Sequence, residues 1–115
     1  MDNNYLLDEH NWRLEAESVI NDIKNHVYSI TLSEKLQNTN KKIFLNLITL
    51  ENQTFCIELS GQGFRIVGKS FDTTDINCSQ YYETPYSLLN NVSPMFSTSF
   101  GNELIAKLQN YGNEY

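Results

Sequence analysis

The sequence predicts an α+β domain, with an N-terminal helix, a four-stranded antiparallel meander sheet, a short helix and a C-terminal amphipathic helix. Three observations carry that prediction. Apolar residues recur at helical spacing from Trp12 to Val27 and again from Phe96 to Leu108. Between those stretches the period falls to two over four short runs. Brief polar or glycine-bearing turns separate the runs, so each strand can return beside the last.

A chain of 115 residues with 40% hydrophobic content is sized for one core. That content is modest, but seven Tyr, six Phe and one Trp supply large buried areas. The single domain is expected over 11–111, with a flexible tail over 1–10 and a frayed end over 112–115. The tail is polar except for Tyr5-Leu6-Leu7.

From about Asn11 the pattern is helical. Trp12, Ala16, Val19, Ile20, Ile23 and Val27 gather within about 100° of arc, as in a helix laid across a sheet. Glu15, Asn21, Asp22 and Asn25 fall on the wet side, and Arg13 and Glu17 have (i, i+4) spacing. The first strand is expected from Tyr28, with Tyr28, Ile30 and Leu32 inward. Ile43, Leu45 and Leu47 form the inward row of the second, and Phe44 and Ile48 lie on its other face. Phe55, Ile57 and Leu59 face inward from the third, while Cys56 and Glu58 point away. The fourth offers Phe64 and Ile66 inward, after a Gly61-Gln62-Gly63 hairpin in which glycine supplies positive φ.

Residues 70–80 lack periodicity and are expected to cross the surface as a loop. Thr84-Pro85 starts a short helix carrying Tyr86, Leu88, Leu89 and Val92. Ser93-Pro94 restarts the chain as the last helix, since Ser93 can accept a bond from a first-turn amide and Pro94 loses no donor at the first position. There Phe96, Phe100, Leu104 and Leu108 recur every fourth residue and sweep a stripe about 120° wide. Tyr111 falls in its middle, and Ile105 lies about 60° beyond its edge. Whether the domain's own sheet or another protein covers this ridge is the functional question.

Composition narrows the answer. A net charge of −6 with only eight basic residues argues against nucleic acid, where phosphates demand clustered Lys and Arg. No apolar run reaches the length of a membrane span, and no basic-then-apolar leader opens the chain. Two cysteines, Cys56 and Cys78, neither staple a secreted scaffold nor pair at zinc spacing. These features point to a cytoplasmic setting, with the nucleus also open. His10 lies in the tail and His26 on a helix shoulder, both expected at the surface without a metal or catalytic partner. Cys56 reads as a structural thiol in mid-strand, and Tyr81-Tyr82 as core aromatics. No catalytic constellation, metal site or cofactor motif emerges, so the sequence predicts no enzyme.

Several separate runs carry a family likeness. Arg13-Leu14-Glu15-Ala16-Glu17 opens the first helix, and Phe55-Cys56-Ile57-Glu58-Leu59 is followed by Phe64-Arg65-Ile66-Val67-Gly68. Tyr82-Glu83-Thr84, Tyr86-Ser87-Leu88-Leu89, Ser93-Pro94 and Phe100-Gly101-Asn102 come next. Over about residues 12 to 109 the chain resembles the glycogen synthase kinase 3 beta interaction protein family. The resemblance implies a non-catalytic adaptor whose C-terminal helix docks on glycogen synthase kinase 3 and regulates it. The docking motif would be similar to the kinase-binding helix of the scaffold axin, carried here by Phe100, Glu103, Leu104, Ile105, Lys107 and Leu108. Gln109 stands where the family motif usually has an acidic residue, and Asn110-Tyr111-Gly112 is expected to end the helix early. The resemblance further implies anchoring of the protein kinase A regulatory subunit by the first helix, through Ala16, Ile20, Ile23 and Val27. Lys24 interrupts that apolar face. A different class of answer also stands: a structural domain whose last helix is wholly core and whose partner binds elsewhere.

Overall fold

Two layers form around one apolar core, helices over one face of an antiparallel sheet. The structure, a computed structural model, describes residues 9–112. Helix α1 (Glu9–Ile23) runs into a single 3-10 turn (Lys24–His26). Strands β1 (Ser29–Leu32), β2 (Lys42–Ile48), β3 (Thr54–Ser60) and β4 (Gly63–Gly68) follow, then helices α2 (Pro85–Val92) and α3 (Pro94–Gly112). The sheet order is β1-β2-β3-β4, each pair antiparallel, as the meander requires. α1 begins two residues before the periodicity at Asn11. The expected tail residues 1–8 and the end residues 113–115 lie outside the described residues, as do the side chains of His10 and Tyr111.

The front face holds the inward rows read from the alternation. Ile30, Ile43, Leu45, Leu47, Ile57, Leu59 and Phe64 pack beneath Trp12, Ala16 and Ile23 of α1, with Val27, Leu88, Leu89 and Phe96 completing the core. Phe55, Ile66 and Leu32 sit partly buried at its margin. Tyr28 departs from the expected pattern. β1 starts one residue later, and Tyr28 is 73% exposed although its amide donates to Ile48 O at 2.9 Å. At that corner Val27, already extended, fills the core position instead.

The back face is not the wet face that period two suggests. Cys56 and Glu58, expected to point away, are both buried. Cys56 joins Phe44 and Val67 in a second apolar cluster against which Leu36 packs. The cover is the loop after β4. Asp72 accepts bonds from Asn46 Nδ2 at 2.9 Å and from the Ser33 hydroxyl, and its own amide donates to Asn46 Oδ1 at 2.9 Å. Those bonds hold the Asp72 carboxyl below its ordinary range. Ile76 N donates to Val67 O at 2.9 Å, continuing the loop alongside β4. The approach is so close that a Cβ on Gly68 would overlap Thr73. At the hairpin before β4, Gly63 has φ +120° and lies against the Tyr82 carbonyl, so a side chain is excluded there on both counts.

Helix starts follow the capping chemistry. The Thr84 side chain accepts from Ser87 N at 3.1 Å with Pro85 at the first helical position of α2. Ser93 serves two helices. Its amide donates to Leu89 O at 2.8 Å, closing α2, and its Oγ accepts from Phe96 N at 3.0 Å, opening α3. α3 runs to Gly112, the last residue of the Asn110-Tyr111-Gly112 run expected to end it.

Candidate functional site

α3 is rooted at one end and free at the other. Its first half begins with three fixtures. Ser93 caps Phe96, and Glu51 Oε2 accepts from the amide of Met95 at 2.8 Å. A carboxylate at this end of a helix faces the positive end of the macrodipole. Burial works to raise the Glu51 carboxyl. Bonds from the Met95 amide and the Ser93 hydroxyl, with smaller ones from its own amide and Thr49, more than offset that and hold it below its ordinary value. Phe96, with no exposed area, is the third fixture.

One turn on, Phe100 completes an aromatic stack. Its ring lies 5.5 Å from Phe96 at 8° and 5.1 Å from Tyr86 at 28°. The His26 ring meets both phenylalanines edge-on, at 6.0 Å and 5.4 Å. His26 was expected at the surface and is instead 5% exposed. The cause is the 3-10 turn. At about 120° per residue, three steps bring a side chain back into line with its starting point. His26 therefore falls in register with buried Ile23 rather than on the shoulder a continued α-helix would give. There its Nδ1 lies 2.7 Å from Ser99 Oγ and its Nε2 2.9 Å from Glu103 Oε1. The only sequence signal for this contact was the (i, i+4) spacing of Ser99 and Glu103 beside the aromatic ridge.

Beyond Glu103 the helix leaves the domain. Residues 104–112 extend about 13 Å at the usual rise. Leu104 is 47% exposed, Ile105 54% and Leu108 69%. Successive side chains turn by about 100°, so these three share an arc of about 100°, with Lys107 exposed beside it. Thus the six residues of the motif divide. Phe100 and Glu103 are half-buried and engaged with Tyr86, Phe96 and His26, whereas Leu104, Ile105, Lys107 and Leu108 face solvent.

The first-helix residues lie differently. Ala16 and Ile23 are fully buried, Val27 is nearly so, and Ile20 packs against the same core. The apolar side of α1 is therefore occupied by the domain's own sheet, while Lys24 is exposed at its end. This is the helix laid across a sheet that the periodicity predicts, and the rows it would offer a partner are the ones that cover β1 and β2.

Other exposed large apolar side chains among the described residues, Leu14, Tyr28, Phe71 and Met95, are scattered singly along the chain rather than gathered on one helical arc. The groove on the back of the sheet contains Glu58, but that carboxylate accepts from Arg65 Nε at 2.9 Å and faces Lys42 Nζ at 3.6 Å. Arg65 is further held by the Cys78 carbonyl and the ring of Tyr81. Burial pushes the Cys56 thiol up, the reverse of what a nucleophile needs. Among the described residues, no three His, Cys, Asp or Glu side chains are grouped to hold a metal, and no helix is long and apolar enough to cross a membrane.

Comparison with known proteins bears on the same stretch of chain. The GSKIP domain family matches residues 12–111. The GSK3B-interacting protein of Bos taurus is 39% identical over 98 residues, covering 84% of this chain and 70% of that protein. The GSK3-beta interaction protein of Danio rerio is 40% identical over 98 residues, covering 84% and 74%. A more distant relative, the Protein GSKIP homolog of Drosophila melanogaster, is 29% identical over 90 residues. The match takes in α1 from Trp12, the whole sheet, α2 and all but the last residue of α3, and on it the chain belongs to the GSKIP domain family.

Proposed function

We propose that this protein is a non-catalytic adaptor that binds glycogen synthase kinase 3 through the free half of α3 and limits the kinase's action on its substrates. The observation that carries this reading is the exposure of Leu104, Ile105 and Leu108 on a helix whose base is fixed in the core. Apolar side chains at i, i+1 and i+4 on a preformed helix suit a hydrophobic groove, where they act as the anchors that lose water. The relatives supply the partner, since those of Bos taurus and Danio rerio are named for interaction with GSK3B and GSK3-beta. Both cysteines are free thiols, which supports a reducing, cytoplasmic setting.

On this reading Phe100 and Glu103 serve the interface by holding the helix, and the kinase reads Leu104, Ile105, Lys107 and Leu108. Purified chain should capture purified kinase, and the double variant Leu104→Glu/Leu108→Glu should abolish capture while leaving the fold intact by circular dichroism. Undiminished capture by that variant overturns the reading. Limitation of activity is tested by phosphorylation of a scaffold-delivered substrate, which added wild-type chain should slow. Anchoring of the protein kinase A regulatory subunit through Ala16, Ile20, Ile23 and Val27 would require α1 to leave the sheet, so the same capture with that subunit is expected to fail.

A further inference from the structure

We infer that His26, with Ser99 and Glu103, forms a polar clasp that sets the angle of the docking helix, which makes His26 a positioning residue for a contact it never touches. The inference rests on the kinase-docking reading above.

The two contacts suit either form of the ring, since an imidazolium would donate to Ser99 Oγ and Glu103 alike. In a neutral imidazole one ring nitrogen donates and the other accepts. Glu103 can only accept while ionised, so Nε2–H donates to Oε1 at 2.9 Å, and Nδ1 accepts from the Ser99 hydroxyl at 2.7 Å. Every polar group in the clasp is then satisfied. Its two halves come from separate places, the 3-10 turn after α1 and the middle of α3.

The clasp does what the aromatic stack beside it cannot. Ring-on-ring burial of Phe96, Phe100 and Tyr86 is strong, but it changes little as the rings slide. Hydrogen bonds weaken steeply away from line. Two of them, from one ring to residues four apart on α3, oppose rotation of the helix about its own axis and tilt about its root. The free half magnifies any such error. Over about 13 Å, a tilt of about 10° displaces the tip by about 2 Å, enough to move Leu108 out of a pocket shaped for one side chain. Glu103 is also turned to the side of α3 away from the Leu104–Leu108–Ile105 arc, so holding it inside the molecule leaves that arc complete.

Hydrogen exchange and kinase affinity test this together on the full chain. With His26→Ala, amides over 100–108 should exchange about tenfold faster while strand amides keep their protection, and affinity should fall about tenfold. His26→Gln retains a donor near the Nε2 position and should restore most of both. If exchange and affinity stay as in wild type, there is no clasp, and if exchange rises while affinity holds, the clasp does not position the helix. Loss of strand protection in His26→Ala as well would make His26 an ordinary core residue, against the inference. Glu103→Ala, at a half-exposed side chain, leaves the core intact. If Glu103 acts through His26, Glu103→Ala adds nothing to His26→Ala. An independent further loss would place Glu103 on the kinase and overturn the inference. A wild-type chain that captures no kinase sinks the docking reading itself, a result distinct from any of these because exchange still reports on the clasp.

Discussion

The two halves of α3 carry the same apolar spacing and meet opposite fates. Phe96 and Phe100 are taken into the domain by α2 and the 3-10 turn, whereas Leu104 and Leu108, one and two turns further along, reach past anything that could cover them. The sequence period is continuous, so the boundary is set by where the rest of the domain ends. An amphipathic stripe longer than its own core is a folding element at one end and, on the docking proposed above, a recognition element at the other.

Substitutions along the helix should sharpen that boundary as a gradient in stability. The largest loss belongs to Phe96→Ala, which empties a fully buried site and removes the ring on which Phe100 stacks. About 3–5 kcal/mol is expected, read as a lower denaturant midpoint. A loss under about 1 kcal/mol would mean that the first half is not rooted either. Next is Ser93→Ala, which frees the first-turn amide of Phe96 and should cost about 1–2 kcal/mol.

Glu51 gives the third step and a pH signature. Its folded value lies below the ordinary 4.5. A depressed carboxylate contributes stability that is whole above the unfolded value and is lost as pH falls through the folded one. Wild-type stability should therefore drop on acidification below about pH 4.5, and Glu51→Gln should flatten that part of the curve. At neutral pH the same variant should cost about 0.3–1 kcal/mol, the usual range for a charge at a helix end. An unchanged acid limb would remove Glu51 from the root of α3.

Most of the scaffold was legible because period and capping are local properties. Alternation in β2, β3 and β4 named the front-face core, and Thr84, Pro85, Ser93 and Pro94 marked both later helices. What escaped depends on residues distant in sequence. His26 looked exposed because its burial follows from a switch in helical pitch and from partners more than seventy positions away. Cys56 and Glu58 looked outward because an aperiodic loop covers them, and nothing in that loop's composition says where it crosses. The proposed site was legible as a ridge only. The ridge gave its residues, but not the point at which it leaves the core, and that point separates Phe100 and Glu103 from Leu104, Ile105 and Leu108.

The smallest expected change in stability is at Leu108, where the comparison is tested most directly. At 69% exposure the side chain gives up little on truncation, so Leu108→Ala should move the melting curve by no more than about 0.5 kcal/mol. The same truncation should weaken kinase capture about tenfold or more, because an anchor that loses its water only in the complex contributes only there. The core reading of the helix makes the reverse prediction, a loss of about 2–5 kcal/mol in stability with capture unaffected. Calorimetry and capture on one pair of proteins therefore distinguish the two readings. Only a residue beyond the root of α3 can separate them this cleanly, since at Phe96 both predict destabilisation.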